Sequence, residues 1–265
     1  MIITLLTDFG LADPFVGVMK GVIYGINPEA EIVDLSHEPP AYDVKEAAFL
    51  MKCSYRYFPR GTIHVVVVDP GVGSKRRPLL ATTDYYYFLA PDNGVLSYLF
   101  AADEVRGVIH ITATHYFLKP VSATFHGRDI FAPVAAYLSR GIPPTSFGEE
   151  IQDWVRLEVP LPRRQANGSL EGEVVRLDRF GNLITSIEER DIAALLGGKS
   201  ADSLRIKVGE HKIVGLSACF AEGREGQPGA IIGSFGHLEI FVKEGSAAER
   251  LGAGRGDRIL LELVK

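Results

Sequence analysis

Cysteine is scarce in this sequence and basic residues are fewer than acidic ones, 28 against 33, and each observation excludes a class of protein. Only two cysteines, Cys53 and Cys219, occur in 265 residues. Both lie in apolar surroundings without C-x-x-C spacing, so we expect buried thiols rather than a disulfide or a metal site. The net charge of −5 provides no basic surface for nucleic acid, and we therefore expect no nucleic-acid partner.

Long apolar runs are missing as well. No run approaches the ~20 residues that a membrane span needs, and Asp8 interrupts the first apolar stretch too early for the core of a signal peptide. We therefore expect a cytoplasmic protein without a membrane partner. A hydrophobic share of 46% and a charged share of 23% are typical of a globular chain, and the length suits one large domain or two ordinary ones.

The first part of the chain alternates strand patterns with helix patterns. Four successive valines at 65–68 suit only a strand buried on both faces, as in a parallel sheet covered by helices. We predict an α/β domain over residues 1–162 with a largely parallel central sheet, in which Asp43 caps one helix. Ligands bind beyond the carboxyl ends of such strands, which places Asp8, Asp34 and Asp69 along one edge.

The remainder has a different pattern. Segments rich in proline, glycine and polar residues separate it from the first part, and short strand patterns then alternate around turn signals such as Gly-Glu-His and Phe-Gly-His. We predict a smaller antiparallel, barrel-like β domain over residues 168–265.

The stretch "VVVVDPGVGSKRRP" ends a buried strand in an aspartate and returns with three basic residues. It lacks the frame of a phosphate-binding loop, because Gly71 and Gly73 are too close together and Lys75 is not followed by Ser or Thr. The segments "TDFG" and "HGRD" echo kinase motifs but occur in the reverse order. Neither pattern therefore indicates a kinase or a nucleoside triphosphatase.

A histidine at a helix start adds a second candidate. His126 precedes a segment of helical apolar spacing and is either a structural residue or part of a site. Together with Asp69 and one arginine it would supply a base, a fixed cation and a titratable donor, which can polarise a water without a metal. Local reasoning does not distinguish Arg76 from Arg77.

Other polar residues keep two interpretations. Asp8 and Asp13 could each accept hydrogen bonds from a ribose diol. Asp13 could instead cap the helix that begins near Pro14. Asp178 and Asn182 either frame a turn or bind the ammonium and carboxylate of an amino acid.

Six motifs in order resemble the S-adenosyl-L-methionine hydroxide adenosyltransferase family, relatives of fluorinating and chlorinating enzymes, along nearly the whole chain. They are "TDFGLADPFVGVMKG", "VVVVDPGVGSKRRP", "APDNGVLSYLF", "TFHGRDIFAPVAA", "DRFGNLITS" and "SFGHLEI". The resemblance implies a homotrimer whose active sites lie at subunit interfaces. It also implies attack of water or hydroxide on the ribose 5′ carbon of S-adenosylmethionine, giving adenosine and methionine without a metal or organic cofactor. The implied water-activating set is Asp69, Arg76 and His126.

The resemblance further implies a substrate-binding set. Asp8 would bind the ribose hydroxyls, and Asp178 with Asn182 would bind the methionine end. The aromatic members would be walls of the pocket, although Tyr42 and Phe220 could equally be ordinary core or hinge aromatics. The complete set is Asp8, Asp13, Tyr42, Phe125, Asp178, Asn182, Phe220 and Ser234.

Two other functions remain possible within this resemblance. A halide-dependent adenosyl transferase is disfavoured, because the extra loop of fluorinating members is missing and a carboxylate repels halide. A non-catalytic sensor of S-adenosylmethionine or adenosine would have no need of the aspartate, arginine and histidine together.

Overall fold

The computed structural model describes residues 1–102 and 104–264, and the chain divides into two compact units, Met1–Val159 and Pro160–Lys265. The first unit is an α/β layer structure and the second is an antiparallel β structure, so the predicted fold class is confirmed. Across the described residues, none of the helices combines the length and the apolar character needed to cross a membrane.

Seven strands form the sheet of the first unit in the order β2-β1-β3-β5-β4-β6-β7. The strands are β1 (Ile2–Thr7), β2 (Glu31–Ser36), β3 (Ile63–Val67), β4 (Pro78–Thr83), β5 (Tyr87–Pro91), β6 (Val105–Ile111) and β7 (Gly148–Glu150). The helices are α1 (Phe15–Ile26), α2 (Val44–Ser54), α3 (Ser97–Ala101) and α4 (Ala132–Ser139). Strands β2, β1, β3 and β5 run parallel, and β4, β6 and β7 extend the sheet in antiparallel pairs.

The valine run forms a strand that is fixed on both sides. Val65 and Val67 pack in the cluster formed with α1 and α4, whereas Val66 and Val68 pack in the cluster formed with α2 and α3. All four side chains are almost completely buried. The prediction of a strand covered on both faces is confirmed, and the chain leaves this strand towards Asp69 from a fixed position.

One of the two predicted helix caps of the first unit is present and the other is not. Asp43 caps α2 as predicted, accepting a hydrogen bond from the backbone N–H of Glu46 at 3.0 Å. Helix α1 has Pro14 at its N-cap position and no side-chain cap, so the alternative role of Asp13 as a cap is not seen.

The second unit contains eight strands in one antiparallel sheet. They are β8 (Arg163–Arg164), β9 (Leu170–Leu177), β10 (Leu183–Glu188), β11 (Leu204–Val208), β12 (His211–Val214), β13 (Pro228–Ile232), β14 (His237–Val242) and β15 (Arg258–Leu263). The helices are α5 (Glu189–Leu196) and α6 (Ala247–Leu251). The order is β12-β11-β15-β9-β10-β14-β13, with β8 paired to β9.

One expectation about an individual residue is wrong. Cys219 is an exposed thiol, unlike the buried Cys53, because it immediately precedes the surface turn Phe220–Glu222. Asp34 lies two residues before the end of β2, near the strand end as expected, and its carboxylate accepts a hydrogen bond from Lys20 Nζ at 2.6 Å. Asp34 therefore stabilises the packing of α1 on β2.

Candidate functional site

An aspartate and an arginine form a buried pair at the carboxyl end of β3. Arg76 Nε donates to Asp69 Oδ1 at 3.0 Å and to Oδ2 at 2.8 Å, and Arg76 Nη2 also contacts Oδ2. The side chains are only 8% and 4% exposed, respectively. A planar guanidinium that meets a carboxylate through two nitrogens fixes the orientation of both groups.

His126 completes the cluster. Its Nδ1 lies 2.7 Å from Arg76 Nη2. Arginine has no acceptor atom, so Nδ1 must accept this hydrogen bond and the neutral ring carries its hydrogen on Nε2. Burial and the positive charge of Arg76 lower the pKa of His126 below its usual 6.5, which favours this neutral form.

The guanidinium of Arg76 retains one free donor. Nη1 is buried and has no hydrogen-bond partner in the part of the chain that the structure describes. The ring of Phe131 lies behind the guanidinium, with its centroid 5.6 Å from Cζ. A buried N–H without a partner is costly, which makes Nη1 a position where a small polar molecule would be stabilised.

Two local features hold the turn of residues 69–76 against the segment before His126. Gly73 has a φ of +77°, and a Cβ at this position would lie 2.1 Å from the carbonyl oxygen of Ala123. Only glycine allows both this backbone conformation and this close approach. Asp129, fully buried, accepts from the N–H of Ser122 at 2.7 Å and so fixes the loop that leads to His126.

His126 itself stands where the helical segment begins, as the sequence predicts. It precedes a π-helical turn, Gly127–Phe131, which continues into α4. The arrangement directs the histidine from a packed helix towards the turn after β3, and rigid elements position catalytic groups more accurately than free loops do.

Asp8 directly follows β1, the strand next to β3. Its Oδ2 accepts a hydrogen bond from the backbone N–H of Tyr42 at 2.8 Å. Tyr42 has a φ of +68° and is 73% exposed, so it is not a core aromatic. The Asp8 carboxylate thus holds Tyr42 in an unusual backbone conformation with its ring in solvent.

The other two candidates of the first unit differ in their surroundings. Phe125 packs edge-on against Phe9 and Phe15, with ring centroids 5.8 Å and 5.3 Å away. Asp13 lies on the exposed segment before α1.

The four candidates of the second unit all line one cavity of about 920 Å³. Asp178 and Asn182 lie in the turn between β9 and β10, Phe220 lies in the turn after Cys219, and Ser234 lies in the turn between β13 and β14. The cavity extends along the paired strands β10 and β14, which contribute Ile184 and Glu239, a directly opposed pair, to its lining.

Asp178 and Asn182 do frame a turn, which is one of the two interpretations. Asp178 Oδ1 accepts from the N–H groups of Phe180 and Asn182, both at 2.9 Å. Asp178 Oδ2 accepts from Asn182 Nδ2, also at 2.9 Å. The turn is rigid, and the same two residues still face the cavity.

A third acidic or amide group of this cavity was not predicted from the sequence. Glu239 lies in β14, is only 7% exposed and lines the same space. The sequence feature that could have indicated it is a charged residue inside the apolar segment "HLEIFV". All six residues of this segment are buried. A buried acid is rare unless it has a partner or a ligand.

Groups of three or more His, Cys, Asp or Glu side chains suited to a metal ion do not occur in residues 1–102 and 104–264. The Asp69, Arg76 and His126 cluster contains a permanent cation where a metal would otherwise supply positive charge. Its side chains are one carboxylate, one guanidinium and one imidazole.

Family models match both units. A model described as the SAM hydroxide adenosyltransferase N-terminal domain matches residues 3–148, and the model of the C-terminal domain of the same family matches residues 172–260.

Individual relatives match over most of their length. A Thermus thermophilus protein named (R)-S-adenosyl-L-methionine hydrolase is 38% identical over 258 residues, covering 95% of each chain. An Actinopolyspora mzabensis protein named fluorinase is 26% identical, covering 93% of this chain and 92% of that protein. The crystal structure of an uncharacterized conserved protein from Thermotoga maritima has a TM-score of 0.90 at 37% identity, covering 98% of this chain and 99% of that one.

Proposed function

The chain belongs to the SAM hydroxide adenosyltransferase family, and we propose on that basis that it hydrolyses S-adenosyl-L-methionine to adenosine and L-methionine. The observation that carries the proposal is the unpartnered, buried Nη1 of Arg76 beside Asp69 and His126. This donor is available for a water or hydroxide, whereas a protein that only binds the substrate has no use for it.

The proposed reaction is an in-line displacement at the ribose 5′ carbon. The water oxygen forms a bond to this carbon while the carbon–sulfur bond breaks, and the sulfur keeps the electron pair as a neutral thioether. Because no anion leaves, the protein has only to position the water, exclude bulk solvent and accept one proton.

Each member of the cluster has a role that follows from its hydrogen bonds. His126 Nδ1 already accepts from Arg76, so its Nε2–H donates and stabilises the developing hydroxide. Arg76 Nη1 donates to the same oxygen. Asp69 is the carboxylate of this cluster, and we assign it the proton of the water.

The two sets of substrate-binding residues have complementary chemistry. In the first unit, Asp8 keeps Oδ1 for a ribose hydroxyl while Oδ2 holds Tyr42, and we propose Asp13, Tyr42 and Phe125 as neighbours of the same ribose and base. In the second unit, the cavity lined by Asp178, Asn182, Phe220 and Ser234 would receive the amino-acid end. We further propose a homotrimer with active sites between subunits. Light scattering tests this, because the mass of the assembly should be three times the 28.9 kDa of one chain.

The deciding experiment incubates the purified protein with S-adenosyl-L-methionine in chloride-free and chloride-containing buffer and separates the products by chromatography. Adenosine and methionine in both buffers, absent with Asp69→Ala, would support the proposal. A 5′-chloro product would assign the chain to the halogenating relatives, and bound but intact substrate would make it a sensor.

A further inference from the structure

The turn that carries Asp69 and Arg76 joins two strands that are not neighbours in the sheet. The chain leaves β3 at Val67 and enters β4 at Pro78, and the strand order places β5 between them. Strand β5 runs parallel to β3 and antiparallel to β4, so the ends of β3 and β5 and the start of β4 lie at one edge. The turn therefore crosses the carboxyl end of β5.

The two residues that follow β5 bind both ends of this turn. At the first end, Asn93 Nδ2 donates to the carbonyl oxygen of Val68 at 2.8 Å. At the second end, the backbone N–H of Asp92 donates to the carbonyl oxygen of Arg77, also at 2.8 Å. Both residues belong to the motif "APDNGVLSYLF", no member of which is part of the proposed site.

The bond from Asn93 compensates a buried carbonyl group. Val68 is fully buried and lies one residue beyond the end of β3, where the strand ladder no longer supplies a donor. The amide of Asn93 is fixed as well, because its Oδ1 accepts from the backbone N–H of Val95 at 3.2 Å. One amide atom faces an acceptor and the other faces a donor, so only one orientation satisfies both bonds.

The same bond reaches the catalytic groups through the chain. Val68 immediately precedes Asp69, whose carboxylate Arg76 Nε binds at 2.8 Å and 3.0 Å. A shift of the Val68 carbonyl would therefore move the carboxylate and the guanidinium relative to His126, which lies on a separate helical element. A misplacement of about 1 Å costs up to about 100-fold in rate.

We propose that Asn93 is a positioning residue, whose amide fixes the first end of the turn and so sets the place of Asp69 and Arg76 relative to His126. The inference rests on the proposed hydrolysis, because it concerns the rate of that reaction. Asn93 acts through the Val68 backbone and not on the substrate. Its loss should therefore lower kcat and leave KM unchanged.

The test replaces Asn93 by aspartate. Asn93→Asp keeps the shape of the side chain and the acceptor for Val95, but at about pH 8 it is ionised and has no donor for Val68. We expect kcat for S-adenosyl-L-methionine to fall about 10- to 100-fold. KM should stay the same, as for a loss confined to the transition state.

Asn27 provides a matched control in the same unit. Its Nδ2 donates to Ser139 Oγ at 2.8 Å, and its Oδ1 accepts from the N–H of Glu29 at 3.2 Å. Both asparagines are half-buried, but Asn27 joins the C-terminal ends of α1 and α4. Asn27→Asp should lower the melting temperature and leave kcat unchanged. Asn93→Ala and Asn27→Ala remove the same donors without adding a charge, and they replace the aspartate pair if Asn93→Asp does not fold.

Hydrogen exchange reports on the turn without any need for catalysis. The backbone N–H groups of Val72 and Ser74 donate within the turn, to Asp69 and Gly71, at 3.2 Å and 3.1 Å. Mass spectrometry of peptides that cover residues 69–77 should show exchange about 2- to 10-fold faster in Asn93→Asp, the weight of one hydrogen bond. Asn27→Asp should leave exchange in this range unchanged.

Other results would overturn the inference. Unchanged kcat in folded Asn93→Asp, or equal losses of kcat in the two variants, would make Asn93 a structural residue only, and a rise in KM alone would mean that it contacts the substrate. If wild type does not hydrolyse S-adenosyl-L-methionine, the proposed function fails by itself. Unchanged exchange over residues 69–77 in Asn93→Asp would then separately reject the fixing of the turn.

Discussion

Arg76 binds the carboxylate of Asp69 through Nε, at 2.8 Å to Oδ2 and at 3.0 Å to Oδ1. The pair is almost completely buried, and the same guanidinium also donates to His126. One arginine thus orients both groups that face the reacting water in the proposed mechanism. The next residue, Arg77, pairs instead with Asp92 and Asp153, at 2.8 Å and 2.9 Å.

Arg76→Lys should lower kcat by about 100- to 1000-fold, the loss typical of removing a preorganised donor. A lysine keeps the charge, but its single nitrogen cannot serve Asp69, His126 and the reacting oxygen together. Quantification of adenosine by chromatography under saturating substrate measures the effect.

The adjacent arginine provides the matched control. Arg77→Lys loses contacts to Asp92 and the exposed Asp153, so it should lower the melting temperature and leave kcat within a factor of a few. Equal losses of kcat in the two variants would remove Arg76 from the mechanism.

Turnover should fall in acid with a midpoint below pH 6.5. Burial and Arg76 lower the pKa of His126, and protonation of Nδ1 below that pKa breaks the hydrogen bond from Arg76. A pH profile of kcat/KM should therefore show this acid limb in wild type. If His126→Gln showed the same acid limb, the limb would belong to another titrating group.

Gly73→Ala should reduce both stability and turnover. The added methyl group would overlap the carbonyl of Ala123 and separate the turn from the segment before His126. Gly61→Ala is the control, because Gly61 also has a positive φ, of +85°, but open space around it. It should cost only the left-handed strain of about 1–2 kcal/mol and keep kcat. Full activity of a folded Gly73→Ala protein would contradict this account.

Stability should fall as the pH decreases from about 6.5 towards 3, because burial lowers the pKa of His64 to about 3. In this range the unfolded chain binds a proton at His64 and the native protein does not. The free energy of unfolding is therefore undiminished above pH 6.5 and decreases by up to about 1.4 kcal/mol for each pH unit below it. Denaturant unfolding at several pH values should show a flatter dependence for His64→Gln. An unchanged slope would mean that other groups dominate.

Turnover should survive removal of metal ions. The proposed displacement expels a neutral thioether and takes its positive charge from Arg76, so dialysis against EDTA should leave kcat unchanged. Loss of activity that Mg²⁺ or Zn²⁺ restores would disprove this part of the proposal.

The sequence by itself determined the α/β and antiparallel β classes, the doubly buried strand before Asp69 and the helix start at His126. These features depend on local periods and on residue types that tolerate few alternatives, such as the valine run. The motifs also identified the family.

Only the tertiary structure decided which residues meet. Local spacing could not separate Arg76 from Arg77, because neighbouring residues share the same propensities, whereas the positions of Asp69 and Asp92 in the folded sheet assign one arginine to each. Glu239 was invisible for the same reason. Its place in the cavity of the second unit depends on strand register and on the Gly233 backbone beside it, and such contacts between distant segments leave no periodic trace in the sequence.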